Sequence, residues 1–295
     1  MTESQVPEQA PFSEHLRELS RRLRWSLTVI ILACIGSYFF SHWLFGVLTK
    51  PLMEAGAESL HFKTPVEPFF TYIKVAVVAG IILSSPFVLY QIWAFVSPAL
   101  YPKEKRLALP FVIFTVLFFF GGVGFGYFVV LPYGFQFLMG YAQKAAANFS
   151  ITQTVAHWLG VEVDWHQLGI IATDIEPTIM MDDYLSLVTK LLLAFGLVFE
   201  LPTFIFFLTK VGLVTYKSLL RFAKFFVVIA FLVAAILTPP DVFTQFLMAV
   251  PLLAMYGLSI LVAYVFGDRP IAEETVDALD KLDETLPDDR WTDEE

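Results

Sequence analysis

The chain has 295 residues, of which 57% are hydrophobic and 16% charged, and its mean hydropathy is +0.68. Soluble domains run at roughly 45–50% apolar and 25% charged, so a water-soluble globular protein is excluded and an integral membrane protein is indicated. The formal charge of −9 identifies no partner, because acids crowd one loop and the tail while bases crowd elsewhere; the single cysteine, Cys34, excludes an intramolecular disulfide.

Residues 1–12 are polar and expected to be disordered. Over 13–24, Leu16, Leu19 and Leu23 recur at spacings of three and four, with Arg17, Arg21 and Arg24 on another face and Ser13 as a candidate N-cap. This spacing predicts a short amphipathic helix with a basic side. It runs into 25–49, which holds no Asp, Glu, Lys or Arg and exceeds the roughly 20 residues that cross a bilayer core, so the first span is placed there. Arg21-Arg22 before an apolar run and Ile31-Leu32-Ala33-Cys34 also look like an export signal with a lipoprotein cleavage box. The apolar run continues about fifteen residues past the cysteine, which a span needs and a cleaved signal does not.

Pro51, Pro65 and Pro68 break helices and predict a loop over 50–71. The second span falls within 72–96, kinked near Pro86, and 97–106 forms a tight turn. The next charge-free run, 107–143, has 37 residues. As a helix that is roughly 55 Å, too long for an upright crossing, so it must tilt or project, with Pro132 as the bend. Gly122 and Gly126 within it form a small-xxx-small notch for helix packing.

Residues 143–183 are a polar insert made acidic by Glu162, Asp164, Asp174, Glu176, Asp182 and Asp183, and alternation over 160–165 predicts a short strand. His157 and His166 stand among these acids without ligand spacing, so no metal site is assigned. The fourth span, 184–209, carries Lys190 near its start and Glu200 past its middle. Ten helical residues separate the two by about 15 Å and some 80° of rotation, so they do not pair, and Lys190 snorkels to the interface. A basic connection, 210–224, leads to two weak runs, 225–240 and 242–267, joined by Thr238-Pro239-Pro240-Asp241. Such a hairpin tilts against partners or thins the bilayer. The tail, 268–295, is acidic and expected to be disordered.

With six spans, Arg17, Arg21, Arg22 and Arg24, then Lys103, Lys105 and Arg106, then Lys210, Lys217, Arg221 and Lys224 all fall on one side. That side is cytoplasmic by the positive-inside tendency, which puts both termini inside and the acidic insert outside.

The chain contains no His-Glu-x-x-His, Gly-x-Ser-x-Gly or phosphate-binding glycine loop, so an enzyme is not expected. Three carboxylates stand out by position: Glu18 on the amphipathic helix, Glu104 in the turn, and Glu200, the one charge in 191–209. A charge at the bilayer centre costs about 2.5–3.5 kcal/mol on insertion scales and often marks function. Each also has a structural reading: an i to i+4 pair of Glu18 with Arg22, solvated pairing of Glu104 with Lys103, Lys105 and Arg106, and a Glu200 carboxyl bonded between spans.

His15-Leu16-Arg17-Glu18-Leu19, Ile82-Leu83-Ser84-Ser85-Pro86, Leu89-Tyr90-Gln91-Ile92-Trp93-Ala94-Phe95, Pro98-Ala99-Leu100-Tyr101, Tyr127-Phe128-Val129-Val130-Leu131-Pro132, residues 195–202 and Thr238-Pro239-Pro240-Asp241-Val242-Phe243 resemble the TatC family, the polytopic core of the twin-arginine protein translocase. The resemblance covers 13–266. Ser20 and Lys105 depart from its usual basic residue and arginine, and the insert is longer than its usual loop.

The resemblance implies an all-α integral membrane protein with six transmembrane helices in a cup-shaped bundle, in the bacterial cytoplasmic membrane with both termini cytoplasmic. It implies recognition of twin-arginine signal peptides on folded cargo, and assembly with single-span TatA and TatB subunits, in several copies, for export driven by the proton-motive force. Membrane lipid is the further partner; no cofactor and no nucleic acid is implied. Glu18 and Glu104 match the carboxylates associated with the arginine pair, and Phe95 lies at the same site. Two carboxylates can demand two arginines because a guanidinium offers a planar fork of donors and lysine only a point charge. Glu200 matches the family's membrane carboxylate, and Thr238 and Gln245 match positions that contact a partner helix. The competing reading, a small-solute transporter using Glu200, calls for repeated halves with matching broken helices, and the second half does not repeat the first.

Overall fold

A computed structural model describes residues 12–57, 59–96, 108–141, 178–238 and 241–267. The expected disordered ends, the turn with Glu104, the 160–165 strand, His157 and His166 lie outside these residues. Six of the described helices are long and apolar enough to cross a membrane: Leu16–Phe39, Glu67–Phe95, Phe111–Tyr141, Met181–Lys210, Tyr216–Leu237 and Val242–Phe266. A helix satisfies its own backbone in hydrocarbon, which makes it the natural element for such apolar runs. The expected all-α, six-span architecture is found. The chain divides into two compact units, Met1–Gly196 and Leu197–Glu295.

In the first unit, α1 (Phe12–Phe39) is one continuous helix. The amphipathic segment expected at 13–24 is therefore its first turns, and Ser13 sits inside the helix rather than capping it. Leu16, Leu19 and Leu23 stay exposed, continuing the apolar surface of the span. The span ends at Phe39, ten residues short of the expected limit, and α2 (Ser41–Glu54) begins after a turn at Phe40. A run without charge is not the same as a crossing: exposed Phe39, Phe40 and Trp43 give this region the aromatic character of a membrane interface.

The helix α3 (Glu67–Val96) passes through Pro86. Proline offers no N–H to the carbonyl of Ile82, and the Ser85 hydroxyl donates to that oxygen at 2.7 Å instead, while Ser84 donates to Ile81 at 3.1 Å. Helix α1 packs along α3. They approach closely at Gly80, where an added Cβ would come within 2.6 Å of the Cys34 backbone. In lipid, where apolar surface drives no helix pairing, such small residues allow the packing that does.

The third span opens with α4 (Ala108–Phe125), widens into a π turn at Gly126–Val130, and continues to Tyr141. The irregularity expected at Pro132 thus appears in the turn before it, where Leu131 N–H reaches back to Gly126. Gly126 is a packing notch, as its spacing predicts: a Cβ there would lie 3.2 Å from Phe195 and 3.4 Å from Leu192 of α5 (Met181–Phe199). Gly196 returns the contact, with its missing Cβ facing Phe119 at 2.8 Å.

The loop before α3 is tied to the start of α5. His61 and Met180 form a parallel bridge, with His61 N–H donating to Ile179 at 2.9 Å and Met181 N–H to His61 at 2.8 Å. Lys63 pairs with Asp183 at 2.7 Å, and Lys74 pairs with Asp182 and donates to Ser186 at 2.7 Å. Glu67 accepts from the backbone N–H of Lys63 at 2.6 Å and of Asp182 at 3.1 Å. Asp182 and Asp183, read as part of the acidic insert, sit in the first turn of α5, where the helix dipole favours acids.

The second unit holds α6 (Leu201–Lys210), α7 (Tyr216–Leu237) and α8 (Val242–Phe266). Thr215 and Ser218 form a capping box that starts α7 at Tyr216. The fifth span is therefore 22 residues rather than the short run expected from 225, because its first turns carry Lys217, Arg221 and Lys224 on exposed positions. Tyr256 of α8 stacks on Phe226 at 3.9 Å and donates its hydroxyl to the Leu219 carbonyl at 2.8 Å, joining the hairpin.

Candidate functional site

Glu18 and Arg22 stand one helical turn apart on α1, which puts them on one face. The Arg22 guanidinium sets Nε at 3.0 Å and Nη2 at 2.6 Å from Glu18 Oε1, and its third nitrogen, Nη1, donates to Gln91 Oε1 of α3 at 3.1 Å. The pair is part-exposed, at 21% for Arg22 and 28% for Glu18. Phe95, half-buried, follows Gln91 by four residues and so lies one turn further along that face of α3. At the same end Trp93 meets Phe111 of the third span edge to face at 4.0 Å. One end of this unit thus carries a carboxylate, a guanidinium, an amide and an aromatic ring. Glu104 lies outside the described residues.

The structural reading of Glu18, the i to i+4 pair with Arg22, is observed. Gln91 was not singled out by sequence, and no local spacing could have found it, since its contact with Arg22 spans 69 positions.

Glu200 sits at the break between α5 and α6. Pro202 lacks the N–H that would bond Val198, so the helix loosens: Glu200 N–H bonds Leu197 at 3.1 Å and Phe204 N–H bonds Glu200 at 2.8 Å. Its carboxyl Oε1 is buried and makes no hydrogen bond among the described residues. Lys190, ten residues earlier, is exposed.

In the hairpin, Thr238 donates its hydroxyl to Ala234 at 2.9 Å and Gln245 donates its amide to the Phe231 carbonyl at 3.1 Å. Both bonds stay within the second unit. The first unit also holds an apolar cavity of about 740 Å³ lined by Ser37, Trp43, Val75, Ala79, Val123 and Tyr127 among others. No charged residue lines it among the described residues, so it offers no carboxylate to a guanidinium.

The fold and these polar groups define a polytopic, all-helical membrane protein. The family described as Sec-independent protein translocase protein (TatC) matches residues 14–251. The TatC protein of Desulforapulum autotrophicum is 40% identical over 273 residues, 92% of this chain and 90% of that protein. That of Aquifex aeolicus is 38% identical over 251 residues, 85% and 93% of the two. A crystal structure of the twin arginine translocase receptor TatC is 36% identical with a TM-score of 0.69, covering 85% of this chain and 98% of that one. The chain belongs to the TatC family: it is a multi-pass membrane protein and a component of a protein translocase.

Proposed function

We propose that this chain is the receptor of a twin-arginine translocase in the bacterial cytoplasmic membrane, with both termini in the cytoplasm. Glu18 and Glu104 bind the two arginines of a signal peptide, and Phe95 lies beside them. The observation that supports this reading most is that Glu18 already accepts a guanidinium, which approaches one oxygen with two donors. In a part-exposed site, solvent screening holds each such ion pair to about 0.2–1 kcal/mol, so selectivity rests on the fork geometry rather than on charge alone. Lys103, Lys105 and Arg106 flank Glu104 in the sequence, and they turn away or pair with anionic phospholipid so that the carboxylate is left for the ligand.

Thr238 and Gln245 contact the single helix of a TatA- or TatB-type subunit, several copies assemble, and Glu200 provides a polar point within the membrane for a partner helix or cargo. Export is driven by the proton-motive force. The test is export of a folded twin-arginine reporter in cells whose own TatC-type subunit is deleted, with this chain and its partner subunits supplied. Glu18→Ala and Glu104→Ala should each abolish export; full export by both variants would overturn the receptor assignment.

A further inference from the structure

We propose that Arg22 is a built-in occupant of the arginine site: its guanidinium fills Glu18 while no signal peptide is bound, and a peptide arginine must displace it. The inference rests on the receptor reading above and adds its regulation. Arg22 presents the same chemical group as the ligand, and it uses Nε and Nη2 on one carboxylate oxygen, the fork that an incoming guanidinium would also use. A site already holding its own copy of the ligand group discriminates by competition: a peptide that merely supplies charge, such as one with two lysines, cannot replace the fork it displaces.

The geometry also makes exchange feasible. Both side chains are part-exposed, so water reaches the pair, and ion pairs of this kind are weak. Because Nη1 of the same guanidinium bonds Gln91, displacement would break a link between α1 and α3 and so carry the binding event to the second span. Arg22 would then be free to turn outward into solvent, since its side chain is already part-exposed. An arginine that merely positioned Glu18 would share this geometry but act with the opposite sign. Its removal would weaken peptide binding, whereas removal of a competitor strengthens it.

The experiment measures binding of a fluorescent twin-arginine peptide and its twin-lysine variant to the full chain in nanodiscs. Arg22→Gln should raise twin-arginine affinity two- to tenfold, and Arg22→Lys, which keeps the charge and loses the fork, should raise it by a smaller factor. Arg21→Gln removes a neighbouring exposed cation and should change affinity less than twofold. Gln91→Leu, which frees one hold on Arg22, should give a rise no larger than that of Arg22→Lys. Unchanged or weaker binding in both Arg22 variants, with binding still dependent on Glu18, would overturn the competitor and leave the receptor reading standing. An equal rise in Arg21→Gln would also overturn it, by showing a field effect without occupancy. Binding that is indifferent to Glu18→Ala would remove the receptor reading itself.

Discussion

The hydroxyl of Tyr127 donates to the carbonyl of Val47 at 2.8 Å, and that carbonyl is the one Pro51 leaves without a helical donor. Tyr184 donates to the neighbouring Leu48 carbonyl at 2.6 Å, so tyrosines from the third and fourth spans both bond the α2 backbone beside its proline. Removing one partner exposes the desolvation cost of the other, about 1–3 kcal/mol. Tyr127→Phe should therefore destabilise the chain by that amount in a thermal unfolding series in detergent. In a Pro51→Ala background the loss should shrink, since a backbone N–H can then reach Val47; an undiminished loss would show that the hydroxyl does not serve this carbonyl.

Gly80 meets backbone as well as side chain, with a Cβ only 2.6 Å from Cys34 Cα, N and Sγ. Gly80→Ala must push α1 from α3 and should cost about 3 kcal/mol, the upper end of overpacking. Gly36, on α1 with open space around it, is the control. Gly36→Ala should be neutral or stabilise by up to about 1 kcal/mol through helix propensity. Equal melting temperatures for the two variants would contradict the packing described.

The hydrogen bond from Lys63 to Asp183 raises the Lys63 pKa above its ordinary value. Protonated Lys63 is thus favoured in the folded state, so its contribution is complete below the ordinary lysine pKa and is lost as pH rises through the higher folded value. Hydrogen exchange at the His61 and Met181 amides should accelerate above the usual lysine range in wild type and lack that step in Lys63→Gln. An identical profile in the variant would sever the bridge from this ion pair.

If Glu200 acts as a polar group rather than as an anion, Glu200→Gln should keep reporter export and Glu200→Ala should lose it. Loss in both would require the ionisable carboxyl. Gln245→Leu breaks the bond to Phe231 and, under the proposed function, should reduce photo-crosslinking of the hairpin to a TatA- or TatB-type helix several-fold. Unaltered crosslinking would place the partner elsewhere.

The six spans were legible because charge-free length is a direct consequence of bilayer thickness, and Gly126 was legible because small residues four apart mark a helix notch. Boundaries were less so. Absence of charge extends the first span through Phe40 to residue 49, because an interfacial helix and a crossing share it, and Trp43 is the clue that separates them. The fifth span begins earlier than its charge-free run, because Lys217, Arg221 and Lys224 look like a loop until Thr215 caps a helix. At the candidate site, the Glu18 and Arg22 pair follows from helical spacing alone. Gln91 does not, because nothing local in either segment says which residue of α3 will face α1. The pairing of Lys74 with Asp182 is hidden for the same reason, across 108 positions.

The most direct test of the receptor function is the affinity of purified chain in nanodiscs for a twin-arginine signal peptide and its twin-lysine variant, with wild type beside Glu18→Ala and Glu104→Ala. Two forked charge-assisted contacts predict a preference for twin arginine of about tenfold or more in wild type, lost in each variant. Equal, weak binding of both peptides to all three proteins would contradict it.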